Sequence, residues 1–302
     1  MVVVANNASN CQEWLLFLDL WKPIIVNMTL IIIQQGDPNI FLTIPSWVNY
    51  ELYTKLDMEK TLGADAWIID ASSDSTSSKS FGCMVAKREF VFFLDIGTIP
   101  TVDEKTGALI NPLQNHMKNL LTASHPYYFN TQYDAFRPGT DFGRGYPHTL
   151  REGIPTAVSM GPVLRYSNYD PSTRLAKLDE FEERRPDVVS NVPYGILYSM
   201  SSVNLAINRK IMGPLMFIGG LMKNFDYDIG DGYLEILTGW LSKVVLDHVR
   251  AGVKIGGDGY VVQERFEDPF DGLRREIVWR DHMEEVVRFF SQVELSGGGW
   301  AG

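Results

Sequence analysis

Two features of the sequence predict an α/β fold with a mostly parallel central sheet flanked by helices. Four short runs of apolar, β-branched or aromatic residues, Val2–Ala5, Leu30–Gln34, Ala66–Ile69 and Phe90–Asp95, recur with helix-compatible segments or loops between them. That is the spacing of strands buried on both faces. Hydrophobic residues make up 45% of the 302 and charged residues 21%, which suffices for a large core and argues against global disorder.

The elements follow in order. Gln12–Lys22 places Trp14, Leu15, Phe17, Leu18 and Trp21 at helical intervals, which predicts a crossover helix between the first two strands. Ser72–Ser80 reads as a serine-rich loop entering a short helix over Phe81–Lys87. A turn is expected at Asp103–Gly107, then a helix over Pro112–Leu121 with Leu113, Met117, Leu120 and Leu121 on one side. Phe129–Glu152 is dense in Gly, Pro, Tyr, Arg and Asp without a sustained period. Loops of that length are usually functional or disordered, and the aromatics Tyr128, Phe129, Tyr133, Phe136, Phe142 and Tyr146 favour an ordered one. Lys177–Arg185 carries seven charges in nine residues and reads as a solvated helix face. Ser202–Asn208 alternates like a strand. Gly239–Val249 reads as an amphipathic helix offering Trp240, Val244, Val245 and His248 to the core, Val261–Val262 as a last strand, and Asp281–Phe290 as a closing helix. With no internal repeat and no linker, one domain is expected over 1–296, followed by a flexible Gly-rich end at 297–302.

Acidic residues outnumber basic ones 37 to 27, a formal charge of −10, which disfavours nucleic acid and anionic membranes as partners while leaving a small anionic ligand within reach of local Arg and Lys. Cys11 and Cys83 are too few for a disulfide framework or a cysteine-rich zinc site, and a reducing compartment is the simpler reading. The longest nearly apolar stretch, Pro23–Ile33, has eleven residues, short of the roughly 18 that a spanning helix needs. The start, Met1–Asn6, lacks the basic and apolar parts of a secretory signal. A cytoplasmic protein without a transmembrane segment is expected.

Walker A, GxGxxG after the first strand, HExxH, CxxC and GxSxG motifs are absent. His116, His125, His148, His248 and His282 show no metal-ligand spacing, and a structural role is the default for each. The most informative segment is Asp141–Gly153. Glycines on both sides of Arg144 remove side-chain bulk, so its guanidinium is available to a ligand that approaches closely. Arg151, seven residues on, would add a second fork for phosphate oxygens. The alternative is that both arginines pair with Asp141, Asp134 or Glu152 and hold the loop.

These residues also carry a resemblance. Arg144-Gly-Tyr-Pro147 with Leu150-Arg-Glu-Gly153, Phe129-Asn-Thr131 with Tyr133-Asp134, Ile31-Ile-Ile-Gln34 with Gly36-Asp-Pro38, Tyr50-Glu-Leu-Tyr53, Phe81-Gly82, Met84-Val85, His116 with Lys118-Asn-Leu-Leu121, and Gly213-Pro214 resemble the reversibly glycosylated polypeptides of plants and algae, in order from about residue 2 to about residue 295. The family comprises UDP-arabinopyranose mutases and non-catalytic relatives. The resemblance implies a GT-A glycosyltransferase-like domain, cytosolic and often loosely Golgi-associated, working as homo- or hetero-oligomers. It also implies interconversion of UDP-arabinopyranose and UDP-arabinofuranose, a divalent metal such as Mn²⁺ or Mg²⁺, and a sugar carried reversibly on an arginine. By motif that arginine is Arg144, with Arg151 and Glu235 as further catalytic positions and Gln35, Asp37, Lys79, Asp95, Asn130 and Asp134 as UDP-sugar-binding ones.

The sequence departs from the family pattern where the chemistry is concentrated. Active relatives end the fourth strand with three aspartates; this chain reads Leu94-Asp95-Ile96-Gly97, and neither Ile96 nor Gly97 offers a side-chain oxygen to a hard cation. Gln35 stands where an aspartate is usual, Lys79 replaces an arginine, Met160 a histidine, Gln263 another histidine, and Leu234-Glu235 an aspartate pair. Asp226, Asp228, Asp231 and Glu235 are the acids from which a replacement metal site would have to be built, and their spacing fits no EF-hand. The expectation is a UDP-sugar protein with no metal of its own and impaired or lost mutase activity. The alternative is a non-catalytic structural subunit of a larger assembly.

Overall fold

A computed structural model describes residues 1–6, 11–40, 42–63, 75–127, 134–164, 188–213, 231–263, 269–293 and 295. The strands are β1 (Val2–Asn6), β2 (Thr29–Gln35), β3 (Asn49–Tyr53), β4 (Phe90–Leu94), β5 (Thr98–Pro100), β6 (Thr156–Met160), β7 (Val163–Leu164), β8 (Val189–Asn191), β9 (Asn204–Asn208), β10 (Gly252–Gly256) and β11 (Val261–Gln263). The helices are α1 (Cys11–Ile25), α2 (Lys55–Leu62), α3 (Ser75–Val85), α4 (Pro112–Leu120), α5 (Arg209–Met212), α6 (Asp231–His248) and α7 (Pro269–Gln292). Eight strands form one sheet in the order β3-β2-β1-β4-β9-β6-β10-β8, and β5-β11-β7 form a second. In the large sheet β9 runs antiparallel to β4 and β6, and β8 antiparallel to β10; the other pairings are parallel. The expected α/β architecture with a mostly parallel sheet is therefore present.

Strand alternation divides the core. Val2, Ile31, Ile33, Val91, Phe93 and Ile207 face α3 and α6, with Phe81 and Leu246. Val3, Leu30, Ile32, Phe92 and Leu94 face α1, whose Trp14, Phe17, Leu18 and Trp21 form its buried stripe. Each such fully buried side chain contributes on the order of 2 kcal/mol. Both indoles in α1 find acceptors, Trp14 Nε1 donating to the Thr43 carbonyl at 3.0 Å and Trp21 Nε1 to the Thr98 carbonyl at 2.9 Å, as buried Trp requires. Among the described residues no helix is long and apolar enough to cross a membrane.

Several expectations need correction. The serines expected in a loop begin a helix: α3 starts at Ser75, and Thr76, Ser77, Ser78, Lys79 and Ser80 are all buried. Ser80 donates its hydroxyl back to the Thr76 carbonyl at 3.0 Å, which satisfies a buried polar atom inside the helix. Small residues let α3 lie close on the sheet; a Cβ at Gly82 would sit 2.4 Å from Val2 Cγ1. The buried side of α4 is largely polar, with Asn115, His116, Asn119 and Leu120 inward, while Leu121 is 68% exposed. Helix α6 begins eight residues before the expected start and turns Thr238, Ser242, Lys243 and Leu246 inward; Val245 and His248 are exposed. Helix α7 is longer at both ends than Asp281–Phe290. Strands β3, β5, β6, β7, β8 and β10 were not expected; none exceeds five residues, and Lys254 breaks the apolar run in β10. Ala66–Ile69, Lys177–Arg185 and the end 297–302 lie outside the described residues.

Because Gly82 touches β1 directly, Gly82→Ala is expected to destabilise the protein by about 1–3 kcal/mol through overpacking, read as a lower urea midpoint. An unchanged midpoint would show that α3 is free to move off the sheet.

Candidate active site

At the carboxyl ends of the parallel strands, where open α/β sheets bind ligands, four of the expected residues lie on elements that meet. Asp95 directly follows β4, Gln35 ends β2, Lys79 rises from α3 and Glu235 from α6. Lys79 Nζ lies 2.5 Å from Asp95 Oδ1 and donates to Ser202 Oγ at 2.5 Å. The Ser202 hydroxyl and amide in turn donate to Glu235 Oε1, the amide at 3.0 Å. The result is one continuous chain, Asp95–Lys79–Ser202–Glu235, with the lysine side chain 1% exposed and Asp95 32% exposed. Burial, and secondarily the Asp95 charge, push the Glu235 carboxyl above its usual pKa, opposed by the Lys79 ammonium and the Ser202 hydrogen bonds. Gln35 Nε2 donates to Ser78 Oγ at 2.9 Å, one residue before Lys79. Asp37 sits in the exposed turn after β2, where its Oδ1 accepts from the Asn39 amide and Asn39 Nδ2, each at 2.9 Å.

Ser202 was missed in the sequence. Its only signal was its place as the first residue of the alternating run Ser202–Asn208, which does not separate it from any serine at a strand's start. Met160 ends β6 and accepts a hydrogen bond from Tyr198 OH at Sδ, 3.4 Å away; Gln263 ends β11 and is buried. Nearby, His116 is structural as expected, held at Nδ1 by Ser159 Oγ and at Nε2 by Asn204 Oδ1, both 2.9 Å away. Burial lowers its pKa to about 4 despite both contacts, so it is neutral at pH 7.

Aromatic rings pack along the arginine segment where it is described. Phe142 packs on Phe136 and Tyr146, with centroids 5.5 and 4.8 Å apart, and Tyr146 packs edge-on against His125. Arg144 is exposed and makes no ion pair or hydrogen bond among the described residues. Arg151 stacks its guanidinium over Phe142 at 5.1 Å and donates to the Tyr146 carbonyl at 3.5 Å. Neither arginine pairs with Asp141, Asp134 or Glu152 among the described residues. Asp134 is instead committed to Lys254, Oδ2 to Nζ 2.7 Å, with both side chains 0% exposed. Its Oδ1 lies 3.4 Å from His125 Nε2 and accepts from the Phe136 amide at 3.3 Å. Burial alone would raise the Asp134 pKa, but the His125 contact, the Lys254 ammonium and the Phe136 amide outweigh it and hold it at about 2. No contact among the described residues joins either arginine to the Asp95–Lys79 chain. Asn130, Asp226 and Asp228 lie outside the described residues.

A cavity of about 470 Å³, lined by Tyr127, Tyr146, Glu152, Tyr194, His248 and Arg250 among others, lies elsewhere. Its Ile154 and Arg250 precede the first residues of β6 and β10, whereas Asp95 follows the last residue of β4, and these strands run the same way. That cavity therefore opens at the opposite end of the sheet.

A profile of the family "Reversibly glycosylated polypeptide" matches residues 2–300. The chain belongs to that family. It is 41% identical over 288 residues to the probable UDP-arabinopyranose mutase 1 of Pisum sativum, covering 93% of this chain and 75% of the relative. It is 39% identical over 288 residues to UDP-arabinopyranose mutase 2 of Arabidopsis thaliana, covering 93% and 76%. Among solved structures, glucosyl-3-phosphoglycerate synthase from Mycobacterium tuberculosis, in complex with Mn²⁺, UDP-glucose and phosphoglyceric acid, aligns with 100% of this chain and 82% of its own at a TM-score of 0.47 and 13% identity.

The described residues of this reversibly glycosylated polypeptide do not fit the divalent metal that the resemblance implies. Asp95 is followed by two residues without side-chain oxygens, its Oδ1 already contacts an ammonium, and no group of three His, Cys, Asp or Glu converges among the described residues.

The Asp134–Lys254 pair yields a pH prediction. The folded Asp134 pKa of about 2 lies below the roughly 3.9 of an unfolded Asp, so the stabilisation this carboxylate gains from His125, Lys254 and the Phe136 amide together, on the order of 2 kcal/mol, is complete above about pH 4 and lost as pH falls through about 2. Urea unfolding at a series of pH values is expected to show this loss, and Asp134→Asn to remove that part of the slope. Equal slopes in the two proteins would contradict it. Lys254→Met, which strands the carboxylate, is expected to cost about 3–5 kcal/mol.

Proposed function

We propose that this protein is a UDP-arabinopyranose mutase-like, UDP-sugar-binding member of its family in which the pyranose–furanose interconversion is impaired or lost. The observation that carries the reading is the state of the fourth strand's end: Asp95 is followed by Ile96 and Gly97 instead of further acids and is engaged by buried Lys79. Breaking the anomeric bond to UDP loads charge on the departing diphosphate, and a metal supplies several kcal/mol of stabilisation there. At 1.36 kcal/mol per tenfold, its loss slows the reaction by at least about 100-fold. Family membership and the names of the relatives support the nucleotide-sugar class, and the exposed Arg144 supports retention of the sugar-handling loop in the GT-A-like scaffold.

A second reading, a structural subunit in a homo- or hetero-oligomer or a larger assembly, is favoured by one observation. Tyr194, Ile196 and Leu295 line a groove of about 410 Å³ between α6 and α7, and Ile196 is 54% exposed. Exposed apolar surface of this kind marks interaction sites.

Incubation with UDP-arabinopyranose and Mn²⁺, with the furanose product resolved by chromatography, is expected to give turnover at least about 100-fold below that of the Arabidopsis relative. Comparable turnover that disappears in Arg144→Ala would overturn the impaired reading. UDP at about 100 times its Kd is expected to stabilise the protein by roughly 2.7 kcal/mol, seen as a raised Tm; no shift at any UDP concentration would remove the nucleotide-binding reading.

A further inference from the structure

The Asp95–Lys79–Ser202–Glu235 chain ties α3, the end of β4, the start of β9 and α6 together around a single ammonium. Lys79 is buried, as are Thr76, Ser77, Ser78 and Ser80 on its own helix, and it lies at hydrogen-bonding distance from both Asp95 and Ser202. An ion removed from water to this degree stays charged only when fixed acceptors neutralise it. Asp95 provides the opposite charge and Ser202 passes the hydrogen bonding on to Glu235.

We propose that the Lys79 ammonium is the resident cation of this site: it takes the electrostatic place of a divalent metal beside Asp95, so that manganese is excluded and nucleotide binding is independent of metal. The inference rests on the nucleotide-binding reading above only for its second half. A divalent ion accepting Asp95 oxygen at about 2.0–2.6 Å would lie beside the ammonium that already contacts Oδ1, and like charges at that separation repel strongly in a poorly hydrated site. Metal entry requires the ammonium to leave, and its stem rises from a stretch of α3 that is buried from Thr76 to Ser80. Two acids already share this ammonium, Asp95 directly and Glu235 through Ser202, and the positions after Asp95 hold Ile96 and Gly97, which add no side-chain oxygen for a second cation. A lysine suits this role because its compact point charge sits on a flexible stem, whereas an arginine fork spreads the charge over a plane.

The test titrates the purified full-length protein with MnCl₂ and follows free manganese by electron paramagnetic resonance. The wild type and Asp95→Asn are expected to give identical, weak binding. Lys79→Met, which keeps the stem and removes the charge, is expected to gain one site at least about tenfold tighter, a gain abolished in Lys79→Met/Asp95→Asn. Stoichiometric binding by the wild type that is lost in Asp95→Asn overturns the proposal, as does a folded Lys79→Met that gains nothing. Should Lys79→Met fail to fold, the wild type against Asp95→Asn decides by itself, with identical weak binding supporting the proposal. For the second half, UDP affinity by calorimetry is expected to agree within about twofold between EDTA and Mn²⁺, and a tenfold or greater tightening by Mn²⁺ contradicts it. Absence of UDP binding in both buffers overturns metal-independent nucleotide binding together with the nucleotide reading, while the manganese titration of the free protein still decides the role of the lysine.

Discussion

A lysine ammonium that is 1% exposed costs several kcal/mol to desolvate unless its surroundings replace the lost water. In this protein that replacement draws on separate elements: the carboxylate after β4, the serine before β9 and, through that serine, the carboxylate on α6. The constraint acts on the fold as well as the site. Helix α3 must lie close on β1 to carry Lys79 to the strand ends, which its small residues allow, and α6 must bring Glu235 over the sheet. A local change that releases Lys79 would leave Asp95 and Glu235 without their shared cation, so the positions of these elements are coupled through one charge.

The second buried pair holds a different region. Asp134 and Lys254 anchor the start of the arginine segment to β10 with both side chains fully buried, and the Phe136, Phe142 and Tyr146 rings build the rest. An aromatic scaffold with one ionic anchor leaves Arg144 exposed while fixing Arg151 against Phe142. Motif reading grouped both arginines and Asp134 as ligand contacts. The geometry divides them into an exposed guanidinium, a stacked one and a carboxylate whose charge is spent inside the protein.

Much of the fold was legible where residues are large and periodic. Strands β1, β2 and β4 show as short unbroken runs of Val, Ile and Phe, as burial on both faces requires, and helix α1 shows in the spacing of Trp14, Phe17 and Trp21, because burial of one face imposes the helical period. Helix α3 was only half legible: Ser, Thr and Lys favour caps and surfaces in general, and their burial here depends on tertiary partners, Ser202 and Asp95, that are distant in sequence. The inward polar side of α4 was hidden for the same reason, since Asn115, His116 and Asn119 hydrogen-bond to Gly256, Ser159 and Asn204 on other elements. Of the site, Asp95, Lys79 and Glu235 were named from the family pattern, but the hydrogen-bonded chain that unites them needed Ser202. The missing aspartates were legible in the sequence; the buried ammonium that meets the remaining Asp95 became visible only in three dimensions.

The central claim, that Lys79 stands beside Asp95 where a metal would otherwise act, meets its most direct test in anomalous diffraction from crystals grown with UDP and excess Mn²⁺. Data on both sides of the manganese absorption edge are expected to show no anomalous peak at Asp95 and density for the Lys79 side chain reaching Asp95 and Ser202. A manganese peak coordinated by Asp95, with the lysine displaced, would contradict it.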